Sequence, residues 1–228
     1  MSIAIFIIVL CLLLFLPQVW CRHVLKKYAV ENDNICGTGG ELAEYLVDVL
    51  ALEEVQIEEG LRHENYYAPD KKLIKLSPEN MHGKSLVAVA VAAHEVGHVI
   101  QHKLNYRPFV IRTRLVKFVG YFEKLASILL ISAPFIAFLT RTPAISIIML
   151  ICGLSAMLLP VLVHFCTLPV EWDASFNRAL PVLINGEYIS DSAIPIVKRI
   201  LTAAALTYVA SALASLLNFY RWLAILRR

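Results

Sequence analysis

The chain has 228 residues, 58% of them apolar and 17% charged, with 21 Lys and Arg against 18 Asp and Glu for a formal charge of +3. Average soluble domains carry roughly 45–50% apolar and about 25% charged residues, so this composition excludes disorder and an ordinary single soluble domain. The basic excess is too mild to argue for nucleic acid, and long apolar runs are the signature of a membrane protein.

The first apolar segment runs from Ile3 to Val19 without a charge. No positive residue precedes it and no small-residue cleavage site follows it, so residues 1–20 read as a retained transmembrane anchor rather than a signal peptide. Residues 21–117 hold most of the polar chemistry. Within them CGTGGELAEYLVDVLAL reads as a turn followed by an amphipathic helix, with Thr38 as N-cap and Glu41 completing a capping box. VQIEEG and KKLIKLS alternate as short strands that can pair, and Asn65 to Asp70 between them reads as a turn or loop. From Ser85 to Leu104 the pattern is helical.

Three further apolar segments follow. Phe118–Thr140 and a segment running from Pro143 to Leu168 read as a transmembrane hairpin, residues 118–168, broken at Arg141-Thr142-Pro143. Residues 169–199 connect it to a last segment, Ile200–Ala224, whose Ala and Ser spacing suits close helix–helix approach; residues 200–228 then comprise that helix and a basic tail. The cysteines, Cys11, Cys21, Cys36, Cys152 and Cys166, contain no CxxC pair and suggest neither a disulfide framework nor a thiolate zinc site.

The stretch that carries chemistry is SLVAVAVAAHEVGHVIQH, which contains His94-Glu95-Val96-Gly97-His98, an HExxH motif. Residues four apart share one helix face, so His94 and His98 can reach one Zn²⁺ at roughly 2.0–2.1 Å. Glu95 beside that face is placed to accept a proton from a water acidified by the metal. The alternative, two histidines satisfied in a helix interior, leaves three costly polar groups in a Val and Ala setting. The sequence thus predicts a zinc-binding metallopeptidase region over 21–117.

A catalytic zinc keeps three protein ligands and one open position. His102 extends the four-residue spacing, but it would lie about 12 Å along the axis and about 80° around it from His94, which assigns it a structural role. His164, Glu171 and Asp173 remain. A hairpin returns the chain to the side it left, so Glu171 in LPVEWDAS can meet the HExxH helix. Glu171 then opens a helix that Pro169 helps to start. Asp173 is the reserve ligand, or an acceptor for the N–H of a ligand histidine. His63, Tyr66, Tyr67 and Arg178 are candidate donors to a developing oxyanion.

At these residues the sequence resembles the YugP-like bacterial membrane zinc metallopeptidases. The likeness spans nearly the whole chain, including TGGELAEYLVDVL, SLVAVAVAAHEVGHVIQH, LPVEWDAS and AAALTYVASAL. It implies His94, His98 and Glu171 as zinc ligands and Glu95 as catalytic acid/base. The arrangement is also similar to the more distant HtpX membrane proteases, which have a Glu-x-x-Ala-Asp element where this chain has Glu171 to Ser175. Where the YugP-like family has a loop resembling DHYDP, this sequence reads Arg62 to Pro69 as RHENYYAP.

Together these readings predict a mainly α integral membrane protein. About four transmembrane helices form a bundle, with a zincin-like metallopeptidase domain, an HExxH helix plus a small strand element, on the cytoplasmic side. Arg22, Lys26, Lys27, Arg112, Arg114, Lys117, Arg178, Lys198 and Arg199 place that side in the cytoplasm of a multi-pass protein of the bacterial inner membrane; Arg141 and the basic C-terminus run against it. The expected activity is zinc-dependent endopeptidase cleavage. Its expected partners are a polypeptide substrate, membrane proteins included, and the lipid bilayer, with no nucleic acid. The rival is a non-catalytic zinc-binding membrane scaffold or chaperone-like partner, against which an intact Glu95 argues.

Overall fold

The computed structural model describes residues 16–32, 35–52, 54–140, 142–156 and 158–226. Most of the first apolar segment, with Cys11, and the terminal Arg227 and Arg228 lie outside these residues. The fold is mainly helical with one small sheet. Helix α1 covers 16–28, and α2 is Gly39–Val49, opened by the expected capping box between Thr38 and Glu41. Three strands follow, β1 (Gln56–Glu59), β2 (Tyr66–Ala68) and β3 (Leu73–Leu76). They are ordered β1-β3-β2, with β1 parallel and β2 antiparallel to β3. The segment read as a turn between two strands therefore holds a third strand. Tyr66 and Tyr67 are good strand formers, and the chain reverses only afterwards, through Pro69 and a left-handed Lys72 (φ 49°).

A single-turn α3 (Pro78–Met81) leads into α4 (Leu86–Lys103), the axis of the core. The Ser85 hydroxyl caps α4 by accepting from the Ala88 N–H at 3.1 Å. Val and Ala cover almost its whole circumference, and Ala88, Ala90, Ala92, Ala93, Val96 and Val99 are all buried. A helix apolar all round has no solvent face. Each buried Val, Leu or Ile here contributes about 1.5–3 kcal/mol over exposure. The core around α4 gathers Leu46 of α2, Ile74 and Leu76 of β3, Phe109, Val170, Leu183, Val197 and Leu201.

Beyond α4 the chain becomes long helices: α5 (Arg107–Thr140), α6 (Pro143–Ala156) and α7 (Leu159–Trp172). A π-helical stretch (Asp173–Ala179) continues α7 into α8 (Leu180–Asn185), and α9 (Ile194–Leu226) closes the described chain. The third apolar segment is thus two helices, with Pro160 in the first turn of the second, where a missing N–H costs nothing. Pro169 lies inside α7 and starts no helix; Glu171 belongs to the last turn of a helix that arrives from the apolar segment. Helices α5 and α9, of 34 and 33 residues, are each about 50 Å long.

Among the described residues one helix is long and apolar enough to cross a membrane, Asp191–Ser215, with 39% of its test window buried. On α5 to α7 the large apolar side chains point outward: Ile131, Phe135, Phe138 and Leu139, then Ile147, Ile148 and Ile151, then Leu162 and Phe165.

Candidate metal centre

The HExxH residues sit past the midpoint of α4. His94 and His98, one turn apart, face α7, and their rings meet edge to face at 4.7 Å. The facing residue is Glu171, whose Oε2 lies 3.0 Å from His94 Nε2 and 3.5 Å from His98 Nε2. One ligand atom from each of His94, His98 and Glu171 falls within 4.8 Å of the others. The cluster is nearly closed to solvent: the side chains are 13%, 8% and 2% exposed. His102 is not part of it and accepts or donates at Nδ1 with the Tyr67 hydroxyl at 2.8 Å, as the helical geometry requires. Neither His164 nor Asp173 joins the cluster among the described residues.

Gly97 makes this closeness possible. A Cβ at that position would stand 2.7 Å from the Ala174 carbonyl oxygen, so a side chain there would drive the π segment off α4. The π segment in turn gives each ligand imidazole a partner. In the tautomer that leaves Nε2 free, His94 Nδ1–H donates to Ser175 Oγ at 3.1 Å and His98 Nδ1–H donates to Gln101 Oε1 at 3.0 Å. Gln101 is fully buried and donates through Nε2 to Asp173 Oδ2 and to the Val170 carbonyl, both at 2.8 Å. Asp173 also accepts from Asn177 and Arg178. The expectation that Asp173 would accept directly from a ligand histidine is corrected: Gln101 stands between them. Burial opposes ionisation of Asp173, but the bonds from Gln101 and Asn177, then Arg178, hold its carboxyl below the usual range.

Sequence reasoning missed Gln101 and Ser175 as histidine partners. Gln101 lies three residues past His98, on the same helix face, a signal the motif contained. Such outer partners fix ring orientation and tautomer.

Glu95 lies on the next face of α4, 5% exposed, with Oε2 buried and without a hydrogen-bond partner. Burial raises its pKa to about 7; His94 and Arg112 pull it down, Glu171 pushes it up, and the Tyr67 backbone amide of edge strand β2 favours the charged form. Glu171 faces the same burial, yet the charges and hydrogen bonds of His98 and His94 overcome it and hold its carboxyl well below the ordinary range. Helix α9 brings Tyr208 beside both carboxylates. Two imidazoles and a carboxylate suit Zn²⁺, and the Glu171 Oε1, also buried without a hydrogen-bond partner, is the oxygen of an acceptor set still incomplete within the protein. The residues present fit the metal.

A helical protein whose HExxH helix meets a glutamate of a distant helix belongs to the class of candidate zinc metalloproteins. The comparisons make that specific. The chain belongs to the zinc metallopeptidase family described as "Putative neutral zinc metallopeptidase", whose model matches residues 3–227. It is 31% identical over 215 residues, 92% of this chain and 90% of the relative, to the "Putative membrane protease YugP" of Bacillus subtilis (strain 168). No solved structure matches. Zinc is the metal this family implies, and His94, His98 and Glu171 are the residues that can hold it.

Proposed function

We propose that the protein is a membrane-embedded zinc-dependent endopeptidase, with His94, His98 and Glu171 as ligands and Glu95 as general base. The observation that carries this reading is the free, buried Oε2 of Glu95 beside three ligand atoms within 4.8 Å of one another. Bound there, zinc supplies a Lewis acid for the scissile carbonyl and a lowered pKa for water. Glu95 takes the water proton on Oε2 and delivers it to the leaving amine, a task for which a carboxyl titrating near 7 is suited. Ser175 and Gln101 hold the imidazole tautomers through the cycle. An extended polypeptide laid along edge strand β2 would pass beside Glu95, since unpaired strand edges accept added strands.

The apolar surfaces of α5 to α7 support a multi-pass protein, because exposed apolar area of that extent marks contact with lipid or partner. Arg112 precedes the apolar stretch of α5 by six residues and Glu171 follows that of α7 by three, which sets the metal centre within about 10 Å of the membrane boundary. Trp172, half exposed and packed on Phe176, suits such a boundary. The boundary is the cytoplasmic one if the basic flanks are obeyed. Four spans, the zincin-like assignment and the division at 20, 117, 168 and 199 belong to the same proposal, as does a polypeptide substrate drawn from membrane proteins.

The experiment is metal analysis paired with proteolysis on protein purified in detergent. Wild type should carry about one zinc per chain and cleave an unfolded polypeptide, while Glu95→Gln should keep the metal and lose turnover by about 10²–10⁴-fold. Wild-type rates in Glu95→Gln would remove the assigned base. Zinc retained with no cleavage by either form would favour the non-catalytic scaffold.

A further inference from the structure

We infer that Arg112 is a catalytic residue of this site, the donor that meets the oxyanion of the tetrahedral species. The inference rests on the peptidase reading and adds to it the group that reading lacks.

The donors suggested by sequence are engaged elsewhere or remote. The Arg178 Nε donates to Asp173 at 3.3 Å. The Tyr67 hydroxyl is bonded to His102. His63 and Tyr66 are exposed on the outer side of the small sheet region. Arg112 is placed otherwise. Three residues before it on α5, Phe109 is 2% exposed and lies with its ring 6.0 Å from that of His98. Positions i and i+3 share a helix face, so the contact that seats Phe109 against a ligand histidine carries Arg112 over the same cluster. Its side chain is 25% exposed. Its Nε is buried without a hydrogen-bond partner.

The nearest acid does not satisfy this guanidinium. Arg112 Nη2 is 3.9 Å from Glu171 Oε1, outside hydrogen-bond reach, and that oxygen too has no hydrogen-bond partner. A buried guanidinium nitrogen without a bond is costly, the more so beside a centre built for a divalent cation. The cost is offset when negative charge arrives. Charge bookkeeping identifies that charge. Zinc with ionised Glu171 and Glu95 sums to zero, and Arg112 leaves one positive charge over. During attack, the water oxygen bonds the carbonyl carbon, the C=O π pair moves to oxygen, and the water proton passes to Glu95. The negative charge that leaves Glu95 reappears on the substrate oxygen. Arg112 already acts on the Glu95 charge in the resting site, and it faces the place to which that charge moves. Collapse expels the amine, which takes the proton from Glu95.

The test uses the full chain in detergent, loaded with zinc, as wild type, Arg112→Gln and Arg112→Lys. Zinc per chain, kcat and KM on an unfolded polypeptide are measured. So is affinity for two probes, a peptide phosphonate with a tetrahedral anionic centre and a peptide hydroxamate that chelates through a planar group. Arg112→Gln should keep its zinc, lose about 10²–10³ in kcat with KM little changed, and bind the phosphonate more weakly by the same factor. Hydroxamate affinity should stay as in wild type. Arg112→Lys should recover part of both losses, having the charge without the planar fork. The inference fails if kcat and phosphonate affinity in Arg112→Gln match wild type. It fails equally if both probes weaken alike, or if zinc is lost in both variants, because Arg112 would then be holding Glu171. If wild type binds both probes and cleaves nothing, the peptidase reading fails, and the phosphonate comparison alone decides whether Arg112 receives a tetrahedral anion.

Discussion

The two helices that meet at the metal centre follow different rules. Helix α4 is regular, capped by its own Ser85, and supplies His94, Glu95, His98 and Gln101 within eight residues. Its contribution is local, set by the pitch of one helix. The opposing helix is irregular. It enters as α7, widens into seven π-helical residues and tightens again into α8. Its partners on α4 lie 69 to 81 residues away in sequence: Glu171 and Ser175 with His94, Val170 and Asp173 with Gln101. A short motif can specify half of such a centre. The other half exists only once the chain has folded back, and π segments recur at functional sites because a widened turn re-aims side chains.

Breaking the long-range half should have the largest effect. Glu171→Ala removes the ligand that joins the two helices, and zinc affinity should fall well beyond the roughly 10–100-fold expected for an outer partner. Equilibrium dialysis against a zinc buffer measures it, and full retention would move the third ligand to Asp173 or His164. Next comes the relay between the helices. Gln101→Leu keeps volume but severs both His98 Nδ1 and Asp173, and should weaken zinc by about 10–100-fold with the helical far-ultraviolet spectrum unchanged. Unaltered affinity would make Gln101 a packing residue only.

Gly97→Ala tests the approach of the two helices themselves. The added methyl meets the Ala174 carbonyl at 2.7 Å, so overpacking should destabilise the fold by about 1–3 kcal/mol, read as a lowered midpoint in thermal unfolding. A variant as stable as wild type would show that the π segment can retreat without cost. The smallest effect is in pH. Glu95 works ionised, and burial raises its pKa to about 7. Below that value it binds a proton and cannot accept another, so turnover falls as pH drops. Positive charge bound nearby shifts this limb downward, which places it at or below about 7. The profile of kcat/KM, taken where zinc content is constant, locates it; activity that rises only above pH 8 would point to another base.

The difference between the helices also explains what could be read from sequence. The α4 ligands, the Thr38 capping box and the structural role of His102 rest on spacings of three to eight residues, and all appear as the pitch of a helix dictates. Glu171 was reachable through the hairpin argument and through resemblance, because a returning chain places it on the correct side. What escaped were features with no local signature. Strand β2 was hidden in NYYAPD because three strand-forming residues beside a proline turn resemble a loop. Pro169 reads as a helix start, yet α7 passes through it, since packing in a core outweighs local preference. Asp173 sat one residue class from the truth: an acceptor, but for Gln101. Arg112 counted only as a basic flank until Phe109 fixed the face on which it lies.

The π segment has one further implication. A helix of that kind accommodates an extra residue per turn relative to ordinary pitch, and its amide bond from Leu180 to Ser175 spans five positions. Deleting any one residue between Asp173 and Ala179 would restore ordinary winding and turn everything downstream by about 100°. Leu180 and Leu183, now inside, would swing outward while Glu171 stayed where it is. This stretch therefore tolerates exchange of letters far better than a change in their number, and its length is as much a part of the enzyme's inheritance as the histidines opposite.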